Sequence, residues 1–207
     1  MSKKVLVVKG TPFEAGISRS MEVVDAFVSA YIEANPNDEI MIRDVFETDM
    51  PYIDGALLSA WNKFGEGLTP TEEEMKKVSA YNELTEEFLA ADKIIIQSPM
   101  WNLSIPVQLK GWLDTITVAG KTFKYTESGP VGLATGKKAI HIHGAGGKYS
   151  QTTGIEHSDA FVRGILGFIG VELEPTIWVE GVDYDPSAKD ELISSLKEKA
   201  REIARNF

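Results

Sequence analysis

The chain has 207 residues, with 21 Lys and Arg against 31 Asp and Glu, a formal net charge of -10 and no cysteine. At 43% hydrophobic and 25% charged residues it reads as a single globular domain, 1–207, long enough to bury a sizeable core. The missing cysteine excludes a disulfide framework, a thiolate zinc site, an iron–sulfur cluster and a cysteine nucleophile, and the acidic balance speaks against a nucleic-acid partner or docking on an anionic membrane.

Residues 5–8 are the first apolar run, too short for a signal-peptide core and best read as a strand. No stretch approaches the roughly 20 apolar residues needed to span a bilayer, so a soluble cytoplasmic protein is expected. Residues 18–35 carry Met21, Val24, Phe27, Val28, Tyr31 and Ile32 at helical spacing. A second strand follows at 39–45, then a short helix at 54–64 inside a long connection. Thr69-Pro70-Thr71-Glu72 predicts a helix start: Thr69 caps, Pro70 takes the first helical position and Glu72 closes a capping box. That helix runs to about 91.

Residues 93–97 contain Ile94-Ile95-Ile96, the run expected of a strand covered on both faces. Leu109, Trp112, Leu113 and Ile116 form the stripe of another helix, and 139–143 is a fourth strand. Phe161, Ile165, Phe168 and Ile169 mark a helix, and 176–179 a fifth strand. A last helix starts after Asp185-Pro186 and carries Leu192, Leu196, Ile203 and Phe207. Five strands separated by helices predict an α/β fold, a parallel sheet with right-handed crossovers and helices on both faces. Ligands in such sheets bind at the carboxyl ends of the strands, near the switch in strand order. The loops after strands one, three and four are therefore the candidates.

The first loop reaches Ser18-Arg19-Ser20, where a helix start offers free N–H groups, two hydroxyls and a cation. A phosphate site and a plain N-cap at Ser18 both fit. The second, Ser98-Pro99-Met100-Trp101-Asn102-Leu103, follows the most apolar strand. It suits either a flat heteroaromatic ligand or a hydrophobic plug at the sheet edge. The third holds Gly144, Gly146 and Gly147, which allow either close approach to a ligand or a flexible turn.

Other motifs fall away. Gly144-Ala145-Gly146 starts like a dinucleotide fingerprint, but Tyr149 occupies the third glycine position. Gly120-Lys121-Thr122 lacks the earlier P-loop glycine, because Thr115 stands there. His141 and His143 share a strand face and His157 lies beyond, but no carboxylate at ligand spacing completes a metal site, so a structural role is expected. Asn102-Leu103-Ser104 matches a glycosylation sequon by accident. Glu72-Glu73-Glu74 and 197–205 read as solvated helix faces.

Across essentially its whole length the sequence resembles the FMN-dependent NADH-azoreductase and NADH:quinone oxidoreductase family. The resemblance is carried by Ser18-Arg19-Ser20, Pro99-Met100-Trp101-Asn102, Val118-Ala119-Gly120-Lys121-Thr122-Phe123 with Tyr125-Thr126 and Gly129-Pro130, His141-Ile142 ahead of Gly146-Gly147, and Gly167-Phe168-Ile169-Gly170. It implies a flavodoxin-like three-layer sandwich with a five-stranded parallel sheet in the order 2-1-3-4-5. It also implies bound FMN and a ping-pong reaction, with hydride passing from NADH to flavin N5 and then to a quinone or an aromatic azo compound. Ser18, Arg19 and Ser20 would hold the phosphate. Pro99, Met100, Trp101, Asn102 and Leu103 would line the isoalloxazine, Asn102 near its N5/O4 edge. Gly144, Gly146 and Gly147 would lie beside the cofactor, the last two reaching the pyrimidine edge. Phe123 and Tyr125 would overhang the flavin, and Phe168 would come from the second subunit of a homodimer. No side chain is expected to act as nucleophile or metal ligand, because the flavin carries the chemistry.

Many relatives carry serine where this chain has Gly10 and Gly144. Each lost hydrogen bond is worth about 0.5–1.5 kcal/mol, so FMN is expected to bind more weakly rather than not at all. A flavodoxin-type electron carrier and a flavin-free binding module on the same scaffold are the alternatives. The extra length at 46–70 and 118–136, which could wall a substrate pocket and a dimer face, stands against the carrier.

Overall fold

The first apolar run is the middle of β1 (Lys4–Lys9), whose Val5, Leu6 and Val8 are fully buried. The computed structural model describes residues 2–151, 154–184 and 187–207. Helix α1 (Arg19–Ala34) and strand β2 (Glu39–Asp44) follow, then α2 (Gly55–Gly65), capped by Asp54. Helix α3 (Glu72–Ala90) leads into β3 (Lys93–Pro99) and α4 (Val107–Thr115). Strands β4 (Phe123–Thr126) and β5 (Gly129–Gly132) form a separate antiparallel hairpin. Strand β6 (Lys138–Ala145), helix α5 (Ser158–Phe168), short strands β7 (Glu172–Leu173) and β8 (Ile177–Glu180), and helix α6 (Lys189–Asn206) complete the chain.

The main sheet is parallel, in the order β2-β1-β3-β6-β7, with β8 also paired to β6. Strand alternation sends successive side chains to opposite faces. Leu6, Val8, Ile94 and Ile96 pack with Phe88 of α3, Trp112 and Leu113 of α4, and Val162 and Leu166 of α5. Val5, Val7, Ile95, Ile140 and Ile142 pack with Val24, Phe27 and Tyr31 of α1 and with Ile193, Ala200 and Ala204 of α6. The result is the expected three-layer flavodoxin-like sandwich.

Three details depart from the sequence expectation. The α3 cap is Thr71, not Thr69: its hydroxyl accepts from Glu74 N at 3.3 Å and Glu74 Oε2 accepts from Thr71 N at 2.7 Å. Two overlapping Thr-x-x-Glu registers exist, and the later one is selected because Glu74 also binds Lys63 of α2 at 2.7 Å. The fifth sheet position is two strands, since Pro175 between β7 and β8 has no N–H for the ladder. The β4–β5 hairpin lies inside the 118–136 segment that read only as extra length. The predicted helix start at Asp185-Pro186 lies outside the described residues.

Candidate active site

The ends of β1, β3 and β6 converge on one edge of the sheet, with Pro99 opposite Gly144 in the β3–β6 register. Ser18 is the N-cap of α1, with an extended backbone and its Oγ accepting from Met21 N at 3.4 Å. Glu22 N bonds Ser18 O, while the Arg19 and Ser20 N–H groups of the first turn are unclaimed among the described residues. A helix start with free N–H groups favours an anion. Ser20 is buried, 3.2 Å from Ser18 Oγ, and accepts a hydrogen bond from Gln97 Nε2 at 2.8 Å. The Arg19 guanidinium instead binds Glu22 Oε1 at 2.7 Å, so its charge is paired within the chain.

After β3 the chain makes a tight two-residue turn. Trp101 and Ser104 exchange backbone hydrogen bonds at 2.8 and 3.1 Å, and the residues between, Asn102 and Leu103, have φ of 50° and 66°. Left-handed backbone suits Asn, but for Leu it costs about 1–2 kcal/mol. Strain of this kind collects where geometry serves a function. Met100 N bonds Gly144 O at 2.7 Å, locking the turn to β6. The Trp101 ring packs edge-on against Phe46, with centroids 5.7 Å apart.

The glycines opposite are sites of close approach. A β-carbon at Gly144 would lie 2.8 Å from Ser20 Oγ, and one at Gly147 2.9 Å from the Tyr149 ring. One at Gly146 would collide with the Asp183 carboxylate. A cleft of about 280 Å³ runs between Arg19, Ser20, Pro99, Met100, Trp101, Gly144 and Gly146. A neighbouring one of about 430 Å³ is bounded by Met100, Asn102, Leu103, Gly146 and Gly147. They share Met100, Ala145 and Gly146, forming one groove with the anion-friendly helix start at one end. The free N–H groups, the Ser20 hydroxyl and the glycine-floored slot are of a kind that fits a phosphate-bearing planar group such as FMN. A larger cleft of about 520 Å³ lies between α1 and the β1–β2 edge, with Lys9, Glu14 and Asp44 among its lining.

Phe123, Tyr125 and Phe168 line neither cleft. They form their own cluster, with Phe123 centroids 4.7 Å from Phe168 and 5.4 Å from Tyr125. Phe123 is buried, whereas Tyr125 is 75% exposed.

Beneath the groove lies a buried chain that sequence reasoning did not assemble. Ser98 Oγ is 2.8 Å from His141 Nε2, and His141 Nδ1 is 2.8 Å from Asp159 Oδ1, which also accepts from Thr176 Oγ1 at 2.6 Å. Burial alone would raise the Asp159 carboxyl, but these donors hold it below its usual range. His143 Nδ1 is 3.4 Å from Ser98 Oγ, and its Nε2 has no hydrogen-bond partner among the described residues. Burial, with His141 beside it and only partly opposed by Asp159, pushes His143 down to about 3. The period-two spacing of the histidines was visible in sequence; Ser98 and Asp159 were not linked to them.

Known proteins share the fold and much of the sequence. Residues 3–204 match the family described as flavodoxin-like fold. The chain is 42% identical over 209 residues to FMN-dependent NADH:quinone oxidoreductase 2 of Listeria innocua, covering 99% of both. It is 40% identical over 206 residues to FMN-dependent NADH:quinone oxidoreductase of Staphylococcus aureus, again covering 99% of both. This chain belongs to that family of flavodoxin-like oxidoreductases. An azoreductase of Bacillus anthracis str. Sterne superimposes with a TM-score of 0.92 at 36% identity, over 100% of both chains. An FMN-dependent NADH-azoreductase of Bacillus anthracis str. Ames Ancestor, solved in complex with FMN, gives 0.91 at 29% identity, over 100% of this chain and 99% of the other.

Proposed function

We propose that the chain is an FMN-dependent NADH:quinone oxidoreductase that also cleaves aromatic azo compounds reductively. One observation carries the reading: Arg19 and Ser20, whose first-turn N–H groups are unclaimed among the described residues, border the same groove as the strained Trp101–Ser104 turn and Gly144–Gly147. FMN, when bound, supplies the hydride chemistry between NADH and the quinone or azo acceptor, which follow one another in ping-pong order.

The chain's own residues bind and orient. The Ser18 and Ser20 hydroxyls and the Arg19 and Ser20 N–H groups take the phosphate; Arg19 contributes through its backbone, because Glu22 holds its guanidinium. Pro99, Met100, Trp101 and Leu103 line the ring, and Asn102, which borders the groove, serves its edge. Gly146 and Gly147 give that edge bare backbone, and Gly144 leaves space for Ser20. No side chain is needed as nucleophile or metal ligand.

The working unit is a homodimer. Its support is the concentration of exposed apolar side chains in the two insertions: Leu58, Phe64 and Leu68 in 46–70, and Tyr125 and Val131 in 118–136. In that dimer Phe168, 36% exposed, belongs to the partner's groove. A single monomeric species in sedimentation would remove the dimer. A cytoplasmic setting follows from NADH as donor; among the described residues no helix is long and apolar enough to cross a membrane.

The deciding experiment is the visible spectrum of the purified protein after FMN addition, then anaerobic NADH titration and NADH oxidation with a quinone and no reductase partner. The oxidoreductase reading expects a flavin spectrum that bleaches with NADH and sustained turnover. A carrier would show no turnover, and a flavin-free module would stay colourless.

A further inference from the structure

Gln97 is fully buried near the end of β3, between the loop after β1 and the start of α1. Its Oε1 accepts from Gly10 N at 3.1 Å, and the same N–H also reaches Gln97 O at 2.9 Å. A backbone N–H can only donate, so the carboxamide cannot flip: its oxygen faces Gly10 and its NH₂ faces Ser20 Oγ at 2.8 Å. Ser20 is thereby an acceptor toward Gln97, and its own hydrogen must go elsewhere. The other hydroxyl within reach is Ser18 Oγ at 3.2 Å, itself an acceptor from Met21 N. Of the two hydroxyl hydrogens, at most one lies between the serines, so at least one is left for another acceptor, and Ser20 borders the groove.

The backbone is shaped around this arrangement. A β-carbon at Gly10 would run into the Gln97 carbonyl oxygen, and one at Gly144 would crowd Ser20 Oγ where Gln97 holds it. A buried carboxamide is costly unless hydrogen-bonded, and an apolar side chain would fill the same space among Ile94, Ile95 and Ile96 without that cost.

We propose that Gln97 is a positioning residue for the phosphate cradle, acting through Ser20 to make the Ser18–Ser20 hydroxyl pair a hydrogen-bond donor toward an anion. The proposal rests on the reading of the groove as an FMN site and deepens it. Gln97 touches neither the ligand nor the reacting atoms.

The test is a double-mutant cycle on the full chain, read by the dissociation constant for FMN from flavin fluorescence quenching. Gln97→Met removes the carboxamide at similar volume, and Ser20→Ala removes the hydroxyl it orients. Each single variant is expected to bind FMN roughly tenfold more weakly, and the double variant no more weakly than either single one. Gln97→Glu offers Ser20 only acceptors and adds a negative charge, so it should weaken FMN more than Gln97→Met does, while riboflavin, which lacks the phosphate, is bound alike by wild type and variants. Unchanged FMN affinity in Gln97→Met, or single effects that multiply in the double variant, overturns the proposal alone. A wild-type protein that binds no FMN overturns the functional reading beneath it. Far-UV circular dichroism of each variant confirms that a folded chain is being compared.

Discussion

A single β-carbon at position 144 would sit 2.8 Å from Ser20 Oγ and 3.0 Å from Ser20 Cβ, closer than packed atoms tolerate. Ser20 can swing aside, so Gly144→Ala should leave the fold intact and withdraw one hydroxyl from the cradle. FMN affinity should fall about two- to tenfold, the worth of one hydrogen bond, with little change in melting temperature. Unchanged affinity by fluorescence titration would remove Ser20 from the phosphate site. Most groove residues were legible at this scale, because Ser20, Trp101, Asn102 and Gly146 lie in or directly after the loops that follow strands, where polar and glycine-rich runs stand out. Gln97 was not legible. It reads as filler in an apolar strand, and Ser20, its partner, is 77 positions away. Arg19 was legible as a cation but not as one already paired, since only the folded helix brings Glu22 to its guanidinium.

At the scale of elements, the β3 and β6 ends are joined to α5 through Ser98, His141 and Asp159. His143 stands beside this chain among Ser98 of β3, His141 of β6, Trp178 of β8, Asp159 of α5 and Glu156 just before α5, whose Oε1 is 3.9 Å from Nε2. Its folded pKa of about 3 lies below the ordinary 6.5. The folded state therefore binds fewer protons, and the stability linked to His143 is complete above 6.5 and lost as pH falls toward 3. In that window this one group should cost about 1.4 kcal/mol per pH unit. The Asp159 carboxyl, held below its ordinary 3.8, acts only under that value. Thermal melts from pH 7 to 4 should show a shallower decline for His143→Phe than for wild type, and equal slopes would refute the assignment. Strands and helices themselves were largely legible from periodicity. The split of the last sheet position was hidden although Pro175 marks it, and the hairpin β4–β5 was hidden because its four-residue strands are mostly exposed and carry no buried face.

For the molecule as a whole, the two-faced sheet followed from alternation in the strands and helical spacing between them, so the architecture was the most legible level. How copies meet was less so, since insertion length marks where extra surface lies and only the folded chain shows which apolar side chains remain outside. The pairing of Arg19 with Glu22 has a consequence for how the protein acquires its cofactor. The net charge is -10, and Arg19, in the first turn of α1, is neutralised by its own helix. An incoming FMN anion thus approaches a repelling body and is gripped at short range by N–H dipoles, by the Ser20 hydroxyl and by Lys189, the other cation lining the cleft. Salt screens long-range repulsion, with a Debye length of about 10 Å at 0.1 M, but barely alters short contacts. Stopped-flow uptake of FMN should therefore accelerate as salt rises from about 10 mM to about 200 mM, while uptake of uncharged riboflavin stays level. A rate that falls with salt would reveal an attracting field. Loading, on this view, is slowest in dilute buffer and quickest at cellular ionic strength.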